Sequence, residues 1–122
     1  MTGKVNGFTL IELLVVLLLI SLLASLAAPS TVRSIDKARE SALKKDLAVF
    51  RQAIDDYYAD HGGYPEGLMT LKDARYLRVI PPDPISEDSE WETVPAPNGE
   101  GITDVRSQSQ RIGSNEKPYS NW

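Results

Sequence analysis

The chain has 122 residues, no cysteine and a formal net charge of −4 at pH 7. This length predicts one small domain, and the absence of cysteine excludes a disulfide scaffold, thiolate catalysis and a cysteine-based zinc site. Residues 62–122 carry six basic and ten acidic side chains. Because the sequence contains no basic cluster that could follow a phosphate backbone, nucleic acid is not an expected partner.

The N-terminal part of the chain is a short polar stretch followed by a long apolar run. Residues 1–7 are polar, and the 21 residues of 8–28 contain a single charge, Glu12. As a helix this run would span about 30 Å, which matches the hydrocarbon core of a bilayer. It has no polar stripe of the kind that a water-soluble helix shows. The run therefore predicts a helix that lies in lipid or in a bundle of similar helices.

A second helical pattern follows Pro29, whose ring removes a backbone donor and so kinks or ends a helix. Apolar residues then recur every three to five positions, with charged residues between them. A pair of glycines after His61 supplies a helix stop signal. The sequence predicts one long helix from Phe8 to about His61, kinked at Pro29 and amphipathic over 29–62.

The second half of the chain, 63–122, predicts short elements. Five of the eight prolines lie between positions 81 and 97, so a continuous strand or helix is not expected there. A short helix is predicted around Leu71, and residues 91–94 and 102–105 are strand candidates joined by a loop that contains Pro, Asn and Gly.

Three interpretations of residues 1–29 compete. The first is a plain signal anchor. The second is a secretory signal cleaved near Ala27, which would release a soluble secreted binding protein. Glu12 argues against this second interpretation, because it places a charge inside the apolar region, and Lys4 is the only basic residue before that region.

The third interpretation depends on the motif GFTLIE at residues 7–12, followed by the apolar run and Pro29. This arrangement resembles the N-terminal signal of the type IV pilin and pseudopilin family. The resemblance implies that a membrane-embedded prepilin peptidase cuts between Gly7 and Phe8 and then N-methylates Phe8. It also implies that Glu12 of one subunit attracts the new amino group of Phe8 on a neighbouring subunit during assembly.

Motifs in the second half narrow the resemblance. They are Tyr57-Tyr58, Gly63-Tyr64-Pro65, Leu68, Leu71, Tyr76-Leu77 and Ile80-Pro81-Pro82-Asp83-Pro84. Their order and spacing are similar to those of the major, G-type pseudopilin of type II secretion. The resemblance implies an α+β fold, in which a long N-terminal helix packs on a small antiparallel sheet. It further implies a structural subunit and not an enzyme.

This resemblance divides the chain into a prepilin leader (1–7), a transmembrane and filament-core helix (8–28), an amphipathic helix (29–62) and a small globular domain (63–122). It implies a single-pass inner-membrane protein with its globular domain in the periplasm, which later enters a pseudopilus that helps export proteins across the outer membrane. The expected partners are further copies of the chain, prepilin peptidase, other pseudopilins, the inner-membrane assembly platform and membrane lipid.

Many G-type pseudopilins also carry an aspartate-rich C-terminal loop that binds calcium. The corresponding region of this chain offers Asp104, Ser107, Ser109 and Glu116, whereas calcium requires several carboxylate or carbonyl oxygens. No cofactor or metal is therefore predicted, and these four residues are the calcium candidates. A separate acidic group at 83–92 contains no basic residue and is interpreted as a solvated loop.

A type IV pilin or a DNA-uptake pseudopilin is the main alternative, because these proteins share the N-terminal half of the pattern. The lack of a cysteine pair counts against pilins that close a C-terminal loop by a disulfide. The acidic second half of the chain shows no basic patch for DNA. The alternative of another class is the soluble secreted binding protein.

Overall fold

The structure is a computed structural model that describes residues 6–88 and 90–122. Most of the predicted leader, residues 1–5, lies outside the described residues, as does Ser89. The elements are helix α1 (Leu10–His61), helix α2 (Leu68–Asp73), strand β1 (Glu92–Pro95), strand β2 (Ile102–Arg106) and a 3₁₀ turn (Tyr119–Asn121). The expected α+β class, with one long N-terminal helix and a small antiparallel sheet, is confirmed.

The chain forms two compact units, a first unit of Met1–Asp36 and a second unit of Lys37–Trp122. Helix α1 begins two residues later than predicted and ends at His61 as predicted. Pro29 lies inside α1 and does not end it, although its missing N–H leaves the carbonyl of Ser25 without a helical hydrogen bond. The kink at Pro29 stays a prediction.

In the first unit, the apolar side chains of α1 are exposed on every side of the helix. The large apolar residues from Leu10 to Leu26 are between 46% and 77% exposed. The polar side chains in this stretch satisfy themselves locally, since the hydroxyls of Ser21 and Ser25 donate to carbonyls four residues earlier at 2.7 and 2.8 Å. By length and composition, α1 can cross a membrane.

In the second unit, α1 buries one face in a core. The buried residues of this face recur at helical spacing: Leu43, Leu47, Phe50, Ala53 and Ile54. The rest of the core comes from later segments: Leu71, Leu77, Ile85, Trp91, Ile102, Val105 and Tyr119. Phe50 meets Trp91 edge-to-face at 4.9 Å, and the indole N–H of Trp91 donates to the carbonyl of Pro81 at 2.8 Å, so the polar atom of this core residue is satisfied.

Strands β1 and β2 pair antiparallel, with a register shift between Val94 and Pro95. Both strand predictions are confirmed. The loop between them ends at Gly101, which has a positive φ of 86°. A Cβ at Gly101 would approach the carbonyl oxygens of Pro65 and Tyr64 to 2.7 Å, so only glycine allows this loop to lie against the chain after α1.

The C-terminal segment, residues 107–122, closes on itself. Ile112 and Pro118 form an isolated antiparallel bridge. The backbone N–H of Tyr119 donates to Arg111 at 2.9 Å, and the N–H of Ser120 donates to Ser109 at 3.0 Å. These bonds make the segment a small hairpin-like loop that ends in the 3₁₀ turn.

Candidate processing and assembly site

The predicted cleavage point lies in exposed, non-helical chain. Residues 6–9 precede α1 and have no regular secondary structure, and Gly7 is exposed. The side chain of Phe8 is 78% exposed. A peptidase needs backbone that is accessible and not held in a helix, and the bond between Gly7 and Phe8 meets both conditions.

The start of α1 is set by two side chains that cap each other's backbone. The N–H of Glu12 donates to the hydroxyl of Thr9 at 3.2 Å, and the N–H of Thr9 donates to the carboxylate of Glu12 at 3.3 Å. This reciprocal pair is a capping box, and its sequence pattern is Thr-x-x-Glu. Sequence reasoning missed it, although the signal was present. The box explains why α1 begins at Leu10 and not at Phe8.

The capping box also decides where the carboxylate of Glu12 lies. Glu12 is in the first turn of α1, where the helix dipole favours a negative charge. Its carboxylate accepts from the amide that directly follows Phe8. The fold therefore brings the two predicted assembly residues, Phe8 and Glu12, to the same end of the helix, with a negative charge beside the predicted new terminus.

Two of the predicted calcium candidates, Asp104 and Ser107, are already engaged in other interactions. Oδ1 of Asp104 accepts from Nε of Arg51 at 2.8 Å and from the N–H of Val105 at 2.8 Å. The hydroxyl of Ser107 donates to Oδ2 of Asp83 in a short, buried hydrogen bond. Two of the four candidates thus direct their polar atoms at protein partners and not at a common point.

The other two candidates support turns. Oγ of Ser109 accepts from the N–H of Arg111 at 3.3 Å. Glu116 is exposed and has a positive φ of 63°, and its N–H donates to the carbonyl of Gly113 at 3.1 Å. Across residues 6–88 and 90–122, no group of three or more His, Cys, Asp or Glu side chains is arranged to hold a metal.

The interpretation of residues 83–92 as a solvated acidic loop needs one correction. Glu87, Asp88, Glu90 and Glu92 are exposed, as the interpretation requires. Asp83 is completely buried and accepts hydrogen bonds from the N–H of Ile85 at 2.9 Å and from Ser107. Asp83 is therefore a structural carboxylate that joins this loop to the C-terminal segment, because a buried carboxylate must be hydrogen-bonded.

The single histidine lies in a cluster of rings at the end of α1. The ring of His61 stacks on Tyr57 at 4.0 Å, and its Nδ1 lies 3.2 Å from the carbonyl of Tyr57. The hydroxyl of Tyr76 donates to Asp60 at 2.5 Å, and this hydrogen bond is the largest of the causes that raise the pKa of Tyr76 to about 12. The raised pKa of Tyr76 is therefore explained by side chains that pack together at the end of α1.

Several known proteins are similar to this chain along most of its length. Residues 3–28 match the family model of the prokaryotic N-terminal methylation motif. The type II secretion system core protein G of Klebsiella michiganensis is 30% identical to this chain in an alignment of 134 positions, which covers 96% of this chain and 92% of the relative. The protein of the same name from Pseudomonas aeruginosa is 30% identical in an alignment of 138 positions, which covers 96% of this chain and 94% of the relative.

The core protein G of Escherichia coli K12 is 32% identical over 103 residues, which cover 71% of each chain. No solved structure shows significant similarity to the chain. The matched motif contains the exposed Gly7–Phe8 bond and the capping box of Glu12, and the similarity to the relatives extends through the second unit. The chain belongs to the pseudopilin family of the type II secretion system core protein G.

Proposed function

We propose that the chain is a structural subunit of a type II secretion pseudopilus, which assembles through its N-terminal helix into a filament that helps export proteins across the outer membrane. The observation that carries this proposal is the apolar surface of α1 in the first unit, which is exposed on every side. A surface of this size requires lipid or other apolar helices around it. A membrane before assembly and a helical bundle after it supply these two environments.

Processing is the first step of the proposal. Prepilin peptidase cuts between Gly7 and Phe8 and N-methylates Phe8. The support is the exposed, non-helical chain at residues 6–9 and the match of residues 3–28 to the N-terminal methylation motif. Cleavage converts the amide of Phe8 into a positively charged amine at the start of an apolar helix.

Assembly is the second step, and it uses the charge of Glu12. A carboxylate at the centre of a membrane helix costs about 3 kcal/mol on insertion scales, and less near the helix end. An amine of opposite charge on a neighbouring subunit lowers this cost, because ion pairing is strongest where water is excluded. Pairing between Glu12 of one subunit and Phe8 of the next therefore sets the axial position at which helices associate.

The remaining partners follow from this proposal. The chain waits in the inner membrane as a single-pass protein with its second unit in the periplasm, and it enters the filament with other pseudopilins at the inner-membrane assembly platform. The subunit itself performs no catalytic step. Its work is to move an apolar helix from lipid into a bundle while the second unit stays folded.

The experiment that tests the proposal is the N-terminal residue and intact mass of the protein from its native membrane. We expect a chain that starts at Phe8 and carries one methyl group. A chain that starts near Ala28 would contradict the proposal and identify a soluble exported protein. An uncleaved chain that starts at Met1 would identify a plain signal anchor and would also contradict it.

A further inference from the structure

One stripe of α1 holds the C-terminal segment. Glu40, Lys44 and Arg51 follow one another at intervals of four and seven residues, so their side chains lie on the same side of the helix. Each of the three contacts a residue of the C-terminal segment or of the strand that leads into it. We call these three side chains the helix clamp.

Glu40 binds the turn of the C-terminal segment. Its Oε1 accepts from the N–H of Ser114 at 2.9 Å and from the hydroxyl of Tyr119 at 2.8 Å, and its Oε2 accepts from the hydroxyl of Ser114 at 2.6 Å. The hydroxyl of Ser114 is the main cause of a lowered pKa at Glu40. Both carboxylate oxygens are therefore used, and hydrogen bonds to the ionised form favour it.

Arg51 and Lys44 bind the far end of the same segment. Nε of Arg51 donates to Asp104 at 2.8 Å, and its Nη2 donates to the backbone oxygen of Trp122 at 2.7 Å. Nζ of Lys44 lies 5.0 Å from the centre of the Trp122 ring, within the range of a cation–π contact. The guanidinium thus ties β2 and the end of the segment to α1 with one rigid group.

The segment is shaped to fit this clamp. The rings of Tyr119 and Trp122 lie 5.1 Å apart and pack over Gly113. A Cβ at Gly113 would lie 2.5 Å from the Trp122 ring and 2.9 Å from the Tyr119 ring. The aromatic pair therefore covers the backbone of the turn at the place where Glu40 holds it.

The donor set of this region does not suit calcium. Oδ1 of Asp104 is paired with the guanidinium of Arg51 at 2.8 Å, and the positive charge of Arg51 opposes a second cation at this carboxylate. The hydroxyl of Ser107 is turned towards Asp83. Calcium takes six to eight oxygen ligands, whereas here side chains of α1 hold the turn at Ser114 and the backbone oxygen of Trp122 by hydrogen bonds.

We propose that the helix clamp replaces a bound calcium ion in this chain, so that the second unit folds and retains its C-terminal segment without the metal. The carboxylate of Glu40 holds the turn by accepting from its N–H and O–H donors. Arg51 takes the role of a cation that neutralises Asp104. The proposal concerns the stability of the second unit, so its outcome does not depend on whether the chain enters a pseudopilus.

The first test is thermal unfolding of the full chain in detergent, followed by tryptophan fluorescence, with excess calcium and with excess chelator. We expect the same Tm in both conditions. Glu40→Gln and Arg51→Met should each lower Tm by about 5 °C, since each removes hydrogen bonds to a charged group. The matched controls are Glu66→Gln and Arg78→Met, which change two exposed residues outside the helix clamp; both should melt like the unmodified chain.

The second test measures release of the segment itself. Trypsin can cut after Arg111, which lies inside the C-terminal segment, and a detached segment is cut faster than a held one. We expect cleavage of the unmodified chain at the same rate with calcium and with chelator, and faster cleavage of Glu40→Gln and Arg51→Met. A Tm raised by calcium, or cleavage accelerated by chelator, would overturn the proposal. Clamp variants that melt and cleave like the controls would overturn it as well.

Discussion

A single helix presents two different surfaces in the two units of this chain. In the first unit, α1 exposes its apolar side chains all round, with Leu10 and Leu26 each 77% exposed. In the second unit, α1 buries one apolar face, where Leu43 and Phe50 are fully buried by later segments of the same chain. The first surface needs partners outside the chain, whereas the second is satisfied within it. Substitutions in the two surfaces should therefore have separable effects.

The largest effect is expected in the core of the second unit. Phe50→Ala should lower the free energy of unfolding by about 3–5 kcal/mol, because it removes a fully buried ring that contacts Trp91. Denaturant unfolding followed by tryptophan fluorescence measures this loss. Membrane integration should not change. Val49→Ala is the matched control, since Val49 is 48% exposed and should cost less than about 0.5 kcal/mol. If Phe50→Ala released the chain from membranes, the separation of the two surfaces would be wrong.

The converse substitution lies in the first unit. Leu18→Lys should weaken membrane integration by about 3 kcal/mol, because it places a charge near the centre of the apolar run. The fraction of protein retained in membranes after alkaline extraction measures the effect. The Tm of the second unit should not change. Leu18→Ala keeps the position apolar and should stay in the membrane; its loss from the membrane would show that shape and not charge decides integration.

The capping box allows the charge of Glu12 to be separated from its role at the helix end. Glu12→Gln keeps a residue that can complete the box but removes the charge. Thr9→Ala keeps the charge and removes one cap, at a cost of about 1 kcal/mol. We expect both variants to be processed at Phe8, and only Glu12→Gln to lose assembly, measured by the yield of sedimentable filaments. Normal assembly of Glu12→Gln would contradict the proposed pairing with the amine of Phe8.

The smallest expected effect is a pH dependence of the second unit. The folded state lowers the pKa of Glu40, chiefly through the hydroxyl of Ser114. The stabilisation by Glu40 is therefore complete above the ordinary pKa of a glutamate and is lost as the pH falls through the lowered folded-state pKa. Trypsin is not active at this pH. The loss of stability should therefore be measured as a fall in Tm relative to the Tm of the same protein at neutral pH. Glu40→Gln should reduce this acid-dependent fall, and Glu66→Gln should not; an equal fall in all three proteins would contradict the assignment to Glu40.

Much of the fold could be predicted because its signals are local. Neighbouring residues alone predict the apolar helix, the helix stop after His61 and the two strands. The structure contains each of these features. The Thr9–Glu12 capping box was equally local, with partners three residues apart, and could have been predicted. The apolar pattern alone predicts a start at Phe8, because this pattern does not mark the cap.

The candidate sites divide in the same way. The motif around Gly7, Phe8 and Glu12 needs only neighbouring residues, so the sequence could identify it. The prediction that Asp83 belongs to a solvated acidic loop is wrong, because the buried position of Asp83 depends on its contact with Ser107, 24 residues away. The partner of Asp104 could not be predicted either, since Arg51 lies 53 residues earlier in the chain.

The sequence by itself determined the family, the long helix and the N-terminal methylation motif at residues 3–28, because these depend on periodicity and on contiguous residues. Only the tertiary structure decided how the C-terminal segment is held. Glu40 and Ser114 are 74 residues apart, and their contact depends on the path of the loops between them. A carboxylate in the sequence can bind a cation, cap a helix or accept from backbone donors. Its role is decided by the groups that the fold brings within hydrogen-bonding distance of it.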